Sequence, residues 1–139
     1  MKKLFNEQPL HTDLGILFLR LVLGSLFTWH GYDAIVHYDL YLSMSKSTIG
    51  LGAKLEFNLV VFSQFICGIL LVLGLFTRLA VIPIFIAMTV AFFVAHKNDA
   101  FFQKELPFVF WLLCMVVFIL GSGRYSADSL LQKRTPSRL

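Results

Sequence analysis

The chain has 139 residues, of which 58% are hydrophobic and only 14% charged, with a formal net charge of +4 and a mean hydropathy of +0.77. A soluble domain carries about 25% charge, so this composition excludes an ordinary water-soluble globule and calls for a lipid bilayer as solvent. The positive charge does not indicate nucleic acid, because much of it lies in short segments flanking apolar runs, where Lys and Arg set membrane orientation.

The opening MKKLF (residues 1–5) resembles the start of a secretory leader. A polar run over 6–13 follows at once, and the next apolar run has span length and no small-residue cleavage site, so the first span is expected to be retained. That span covers 14–36 and is interrupted by Arg20 and His30. Arg20, Gly24, Phe27 and Gly31 recur at helical spacing on one stripe, and the glycines allow a neighbouring helix to approach closely. An arginine on such a face needs an anionic partner, for which Asp128 and Asp13 are the candidates; snorkelling to the interface is the alternative. Near the end of the span stands LFTWHGYD (26–33). Trp29 and Tyr32 suit an interfacial aromatic belt, while His30 and Asp33 are either interfacial too or the mark of a polar pocket.

The connection over 37–54 is long for a helix bundle. Its centre, SMSKSTIGLG (43–52), is small, polar and Gly-containing, and either moves freely or folds back over the mouth of the bundle. The second span is 55–76, with Gln64 near its middle, Gly68 one turn away, and Ser63, Cys67 and Gly74 on an adjacent small-residue stripe. A mid-span amide must find a hydrogen-bond partner, either another helix or a bound ligand. Thr77 and Arg78 are read as a tight turn, making spans two and three antiparallel neighbours. The third span is 79–96, in which Pro83 either starts the regular helix or kinks it. After a loop over 97–105 the fourth span runs over 106–121, with Pro107 in its first turn, where a missing N–H costs nothing. Residues 122–139 form a tail.

The expected fold is therefore all-α: a single-domain four-helix transmembrane bundle of up-down topology. The apolar runs lack the alternation of barrel strands. Seven basic residues (Lys2, Lys3, Arg78, Arg124, Lys133, Arg134, Arg138) lie on the side of the termini and four (Lys46, Lys54, Lys97, Lys104) on the other, so both termini are expected to be cytoplasmic.

His30, Gln64, His96 and Glu105 come from four different spans and share the outer half of the bundle. They are the candidate contacts for a small lipophilic ligand, since ionisable groups inside a membrane often mark ligand or proton pathways. For His96 and Glu105 a plain helix-end role is the stronger reading. No metal site is expected: Cys67 and Cys114 form no CxxC pair, and both are read as buried filler. A haem site is disfavoured, because nothing holds two imidazoles across a flat cavity.

Three stretches carry a family resemblance: LRLVLGSLFTWHG (19–31), GILLVLGLFTRLA (68–80) and, most specifically, GSGRYSADSLL (121–131). On these the chain resembles the DoxX family of small four-helix membrane proteins, whose members typically end with a Gly-x-Gly-Arg-Tyr-Ser-x-Asp run. The resemblance places Gln64 where family members often carry a glutamate, and an amide does not relay a proton as a carboxylate does. It implies a bacterial or archaeal cytoplasmic membrane, membrane or redox partner proteins, and a quinone as cofactor class. The family name derives from a subunit of archaeal quinone-linked oxidoreductase complexes. The terminal motif has its own chemistry. Gly121 and Gly123 permit a helix stop and turn, Arg124 suits a helix C-terminus, and Ser126 and Asp128 bond local backbone or cap a short helix. A structural lock pinning the tail, through Arg20 and Asp128, is expected there rather than catalysis. Three functions stay open: a quinone-linked redox subunit that takes electrons from a partner, a non-enzymatic scaffold of a larger membrane complex, or, as the weakest, a small-molecule carrier with the same cavity as a transit site.

Overall fold

The computed structural model describes residues 11–134, and within them all regular structure is helical, with no strand. The elements are α1 (Thr12–Val36), α2 (Tyr38–Met44), α3 (Ala53–Leu73), α4 (Thr77–Val90), α5 (Phe101–Leu120) and α6 (Ala127–Arg134). A π-helical turn, Ala91–Ala95, continues α4. Four stretches are long and apolar enough to cross a bilayer: Thr12–Val36, Ala53–Leu73, Thr77–Ala95 and Phe101–Leu120. Lys2, Lys3 and Arg138, which enter the orientation argument, lie outside the described residues.

The four long helices form a ring in which α1 packs on α3, α3 on α4, α4 on α5, and α5 more sparsely back on α1. Helix α1 turns Ile16, Arg20, Leu23, Phe27, Gly31 and Ala34 inward at steps of three and four, while Phe18, Leu26, Trp29 and Ile35 stay exposed. That outer face is apolar because its surroundings are lipid tails rather than water. Leu23, Phe27, Leu71, Ile84, Phe110 and Cys114, drawn from all four long helices, belong to one core. Between α4 with its π-helical turn and α5 the rings of Phe85, Phe92, Phe93, Phe108 and Trp111 pack on one another, some stacked and some edge-on, and Trp111 Nε1 donates to Thr89 Oγ1 at 3.0 Å.

The α1–α3 seam is a backbone contact. A Cβ on Gly24 would lie 2.8 Å from the Val72 amide nitrogen, and one on Gly68 would lie 2.8 Å from that of Thr28. Small residues at these positions bring two helices together where lipid supplies no hydrophobic drive of its own.

Three boundaries differ from the sequence expectation. The second long helix stops at Leu73 rather than 76, because Gly74 takes a left-handed conformation (φ 69°). Its amide bonds the Leu71 carbonyl at 3.2 Å and that of Leu75 bonds Leu70 at 3.0 Å, a pattern that closes a helix C-terminus. Thr77 and Arg78 consequently open α4 instead of forming the turn, and Pro83 lies inside that helix. Helix α5 starts at Phe101, so Pro107 sits within it and not in its first turn. The segment ahead of Pro107 is helical without being uniformly apolar, as fits a helix that begins at the membrane interface.

The long connection is ordered by its own contacts. Tyr38 of α2 packs on Phe57 at 5.3 Å between ring centres and donates to Asn58 Oδ1 at 2.6 Å. Tyr41 donates to Asp33 Oδ2 at 2.7 Å, and that hydrogen bond to a carboxylate raises the phenol's pKa. The chain then folds back towards the bundle.

Candidate functional site

Two polar arrangements stand out against the apolar bundle. The first is Arg20. It is 2% exposed, and its guanidinium is held by backbone carbonyls rather than by a carboxylate. Nε donates to Leu71 O at 2.9 Å, one terminal nitrogen to Ser122 O, and the other to Tyr125 O at 2.9 Å and Val72 O at 3.5 Å. Leu71 and Val72 belong to the last turn of α3, whose carbonyls point past the helix end and favour a cation. Gly74 makes room for the group: a Cβ there would lie 2.6 Å from Arg20 Cζ.

The expected ion pair between Arg20 and Asp128 is therefore absent among the described residues. Asp128 faces the start of α4, where its two oxygens accept from the amides of Phe76 (2.8 Å) and Thr77 (3.1 Å). The helix N-terminus supplies the positive partner that arginine was expected to give. Asp13 accepts from the Arg124 amide at 3.2 Å, a backbone contact, and the Arg124 side chain is exposed. Gly121 (φ 78°) ends α5, and a Cβ on Gly123 would meet Ile16 Cγ2 at 2.9 Å. Ser126 caps α6 by accepting from the Ser129 amide at 3.1 Å.

The second arrangement is a groove of about 340 Å³ between α3 and α4. Its walls are apolar, with Phe57, Val60, Ile86 and Met88 among them, and Ala91 and Ala95 of the π-helical turn keep one side low. Gln64 lines this groove, and its side-chain amide forms no hydrogen bond with another described residue. Ser45, Lys46, Thr48 and Ile49 of the connection roof it. The roof is fixed by Glu56, whose carboxylate accepts from Ser47 Oγ (2.8 Å) and the amides of Thr48 (2.5 Å), Ile49 (3.2 Å) and Leu51 (3.0 Å). Apolar walls with few polar groups are the usual makeup of a small-molecule site.

The other residues expected beside Gln64 lie elsewhere. His30 is exposed on α1, edge-on to Phe110 of α5 with ring centres 6.5 Å apart, on the sparse α1–α5 seam. His96 closes the π-helical turn and bonds Asp99 Oδ2 at 2.7 Å. Glu105 is exposed on α5. None of the three lines the α3–α4 groove. Shared depth put these groups together in the sequence, whereas their directions around the helices separate them. Glu56 was missed by the sequence reading. A carboxylate in the first turn of a span, just after a Ser- and Gly-rich loop, was the available signal, because such loops leave amides that need an acceptor. No group of three or more His, Cys, Asp or Glu among the described residues could hold a metal ion, and Cys67 and Cys114 are buried free thiols.

Four apolar spans around a tightly packed core, with a satisfied arginine buried among them, define a multi-pass integral membrane protein of the four-helix type. The sequence profile of the DoxX family matches residues 15–97, from within α1 to just past the π-helical turn. The chain belongs to the DoxX family. It is similar to two Haemophilus influenzae proteins, each described as uncharacterized. One is 27% identical, with 93% of this chain and 99% of the relative covered, and the other 23% identical, with 94% and 92% covered. An uncharacterized membrane protein of Mycobacterium tuberculosis is 29% identical, covering 86% of this chain and 83% of its own length. No solved structure matches.

Proposed function

We propose that this protein is a subunit of a quinone-linked redox system in a bacterial cytoplasmic membrane, with both termini cytoplasmic, and that it holds the lipophilic ligand in the α3–α4 groove. The observation that carries this reading is Gln64: an intramembrane amide on the wall of an apolar groove, with no partner among the described residues. An amide left unpaired inside a membrane is costly, and a carbonyl-bearing ring offers it an acceptor. A quinone, when bound, supplies the two-electron chemistry. Gln64 donates to the ring oxygen and orients it, the apolar walls take the ring and tail, and the loop held by Glu56 limits water at the polar end. Electrons are assigned to a partner protein.

On this reading Arg20, Gly121, Gly123, Arg124, Ser126 and Asp128 form the structural lock of the opposite end. His30, His96 and Glu105 contribute no ligand contact.

The test is quinone content after purification in mild detergent, measured by mass spectrometry of the lipid extract. Wild type is expected to retain a quinone, Ala87→Phe to lose it by filling the groove, Gln64→Leu to retain less, and His30→Ala to match wild type. Full retention in Ala87→Phe refutes the groove, and loss confined to His30→Ala moves the site to the α1–α5 seam.

The alternative is a scaffold without a ligand. What favours it is that the most expensive polar group of the bundle, Arg20, serves architecture alone. Purified protein free of quinone but stably joined to a larger membrane complex would establish that alternative.

A further inference from the structure

The opposite end of the bundle holds a second cavity, of about 560 Å³, where α4 begins, α5 ends and α6 crosses beneath them. Its walls include Thr77, Arg78, Leu79, Leu120, Gly121 and Asp128. Both α4 and α5 meet the membrane boundary here, so the cavity lies at the depth of lipid headgroups.

Thr77 is 1% exposed, yet its Oγ1 has no hydrogen-bond partner among the described residues. A buried hydroxyl without a partner costs about 1–3 kcal/mol, and this one, though closed to solvent, belongs to a residue of the cavity wall, where turning about χ1 brings it to an entering group. Arg78 is exposed and lies over Gly121, where a Cβ would stand 3.5 Å from its Nε. Its guanidinium makes no hydrogen bond or ion pair with a described residue. The positive end of α4 offsets Asp128, which lies against it, and leaves the charge of Arg78 for a further anion. Among the described residues Asp128 is the one carboxylate on the wall, and both its oxygens already accept backbone amides of that helix end. The remaining capacity favours an anion of single charge over a dianion. Leu79 and Leu120 are exposed on the rim, and Phe76 joins them, so the entering molecule is apolar on its membrane side.

We infer that this corner binds a phospholipid by its phosphodiester. Arg78 makes a two-pronged contact with the phosphate, the Thr77 hydroxyl donates to it, and the acyl chains lie along Phe76, Leu79 and Leu120. A diacyl phospholipid brings one negative charge on its phosphodiester and two chains on its glycerol, which matches both the field and the rim. The site is separate from the α3–α4 groove and stands whatever that groove holds.

The test is the thermal unfolding midpoint of the full protein in neutral detergent. Three additives are compared: phosphatidylglycerol, a diacylglycerol with the same chains, and inorganic phosphate. Phosphatidylglycerol is expected to raise the midpoint saturably and the other two to leave it unchanged. Arg78→Gln is expected to raise the half-saturating lipid concentration about tenfold, the weight of a charge-assisted contact, while Lys133→Gln leaves it alone. An equal rise with diacylglycerol shows that only chains are read. An equal rise with inorganic phosphate shows an ion site without lipid. An unchanged value in Arg78→Gln, or an equal loss in Lys133→Gln, shows general surface charge. Each of these overturns the inference, and the comparison of the two lipids on wild type decides it even if Arg78→Gln does not fold.

Discussion

Nε of Arg20 in the first span donates at 2.9 Å to the carbonyl of Leu71 in the last turn of α3, and the rest of the guanidinium gathers carbonyls from the loop after α5. One side chain thus ties together three parts of the chain, α1, the end of α3 and the loop after α5. Arg20→Ala removes at once the bonds to the carbonyls of Leu71, Val72, Ser122 and Tyr125 and is expected to destabilise the protein by about 3 kcal/mol or more. Arg20→Lys should recover less than half, because an ammonium lacks the planar fork that spans carbonyls on two sides. Removing Asp128 should not rescue Arg20→Ala, since its oxygens are committed to α4. Detergent-solubilised protein titrated with a denaturing detergent reads all three.

Gly31 tests the α1–α3 seam. A Cβ there would lie 2.5 Å from the Phe65 amide nitrogen and 2.7 Å from its Cα, and backbone cannot swing aside as a side chain can. Gly31→Ala is expected to cost about 1–3 kcal/mol by forcing the helices apart. Gly15 lies in the same helix with nothing within 4 Å of its Cβ position. Gly15→Ala should therefore stabilise by about 0.5–1 kcal/mol through helix propensity. Thermal midpoints of the pair should move in opposite directions, and a matching loss in both would remove the special status of the seam.

The spans were legible because bilayer thickness fixes run length, and the glycine stripe of α1 was legible because helical spacing fixes a face. Other features were not. Arg20's partners are main-chain oxygens of Leu71, Ser122 and Tyr125, and a carbonyl has no signature in the residue that carries it. The sequence therefore pointed to a carboxylate, Asp128, which the α4 N-terminus claims instead. Helix ends shifted where a left-handed Gly74 or an interfacial extension at Phe101 set the boundary rather than hydropathy. His30 and the somewhat deeper Gln64 were placed in the same half of the bundle, but depth says nothing of direction around the helix, and direction puts only Gln64 on the groove.

Asp128 holds a strained turn. Phe76 adopts φ 48°, a region that non-glycine residues rarely enter, and its amide donates to Asp128 Oδ1. Asp128→Ala removes the acceptor for two helix-start amides and is expected to cost about 1–2 kcal/mol. Asp128→Asn keeps one acceptor oxygen and should fall between. Proteolysis of the turn between α3 and α4, in detergent, should rise in the same order. Equal resistance in all three proteins would show that the turn is held by the Gly74 closure alone.

Glu56 controls the roof of the α3–α4 groove through the amides of Thr48, Ile49 and Leu51. Those amides precede α3 and belong to no helix, so their protection from exchange depends on this one carboxylate. Hydrogen bonds to a charged acceptor contribute about 1.5–3 kcal/mol, so losing them should speed exchange at these amides about tenfold or more. Glu56→Gln should give a smaller increase, because one amide oxygen replaces two carboxylate oxygens. Hydrogen–deuterium exchange of the peptide spanning 45–52 measures this directly, with α3 peptides beyond Gln64 as the internal control. A rise across the whole of α3 would mean that Glu56 supports the helix rather than the loop. No rise anywhere would mean that the roof is held by Ser45 and its neighbours on α2, and that Glu56 is dispensable for closing the groove.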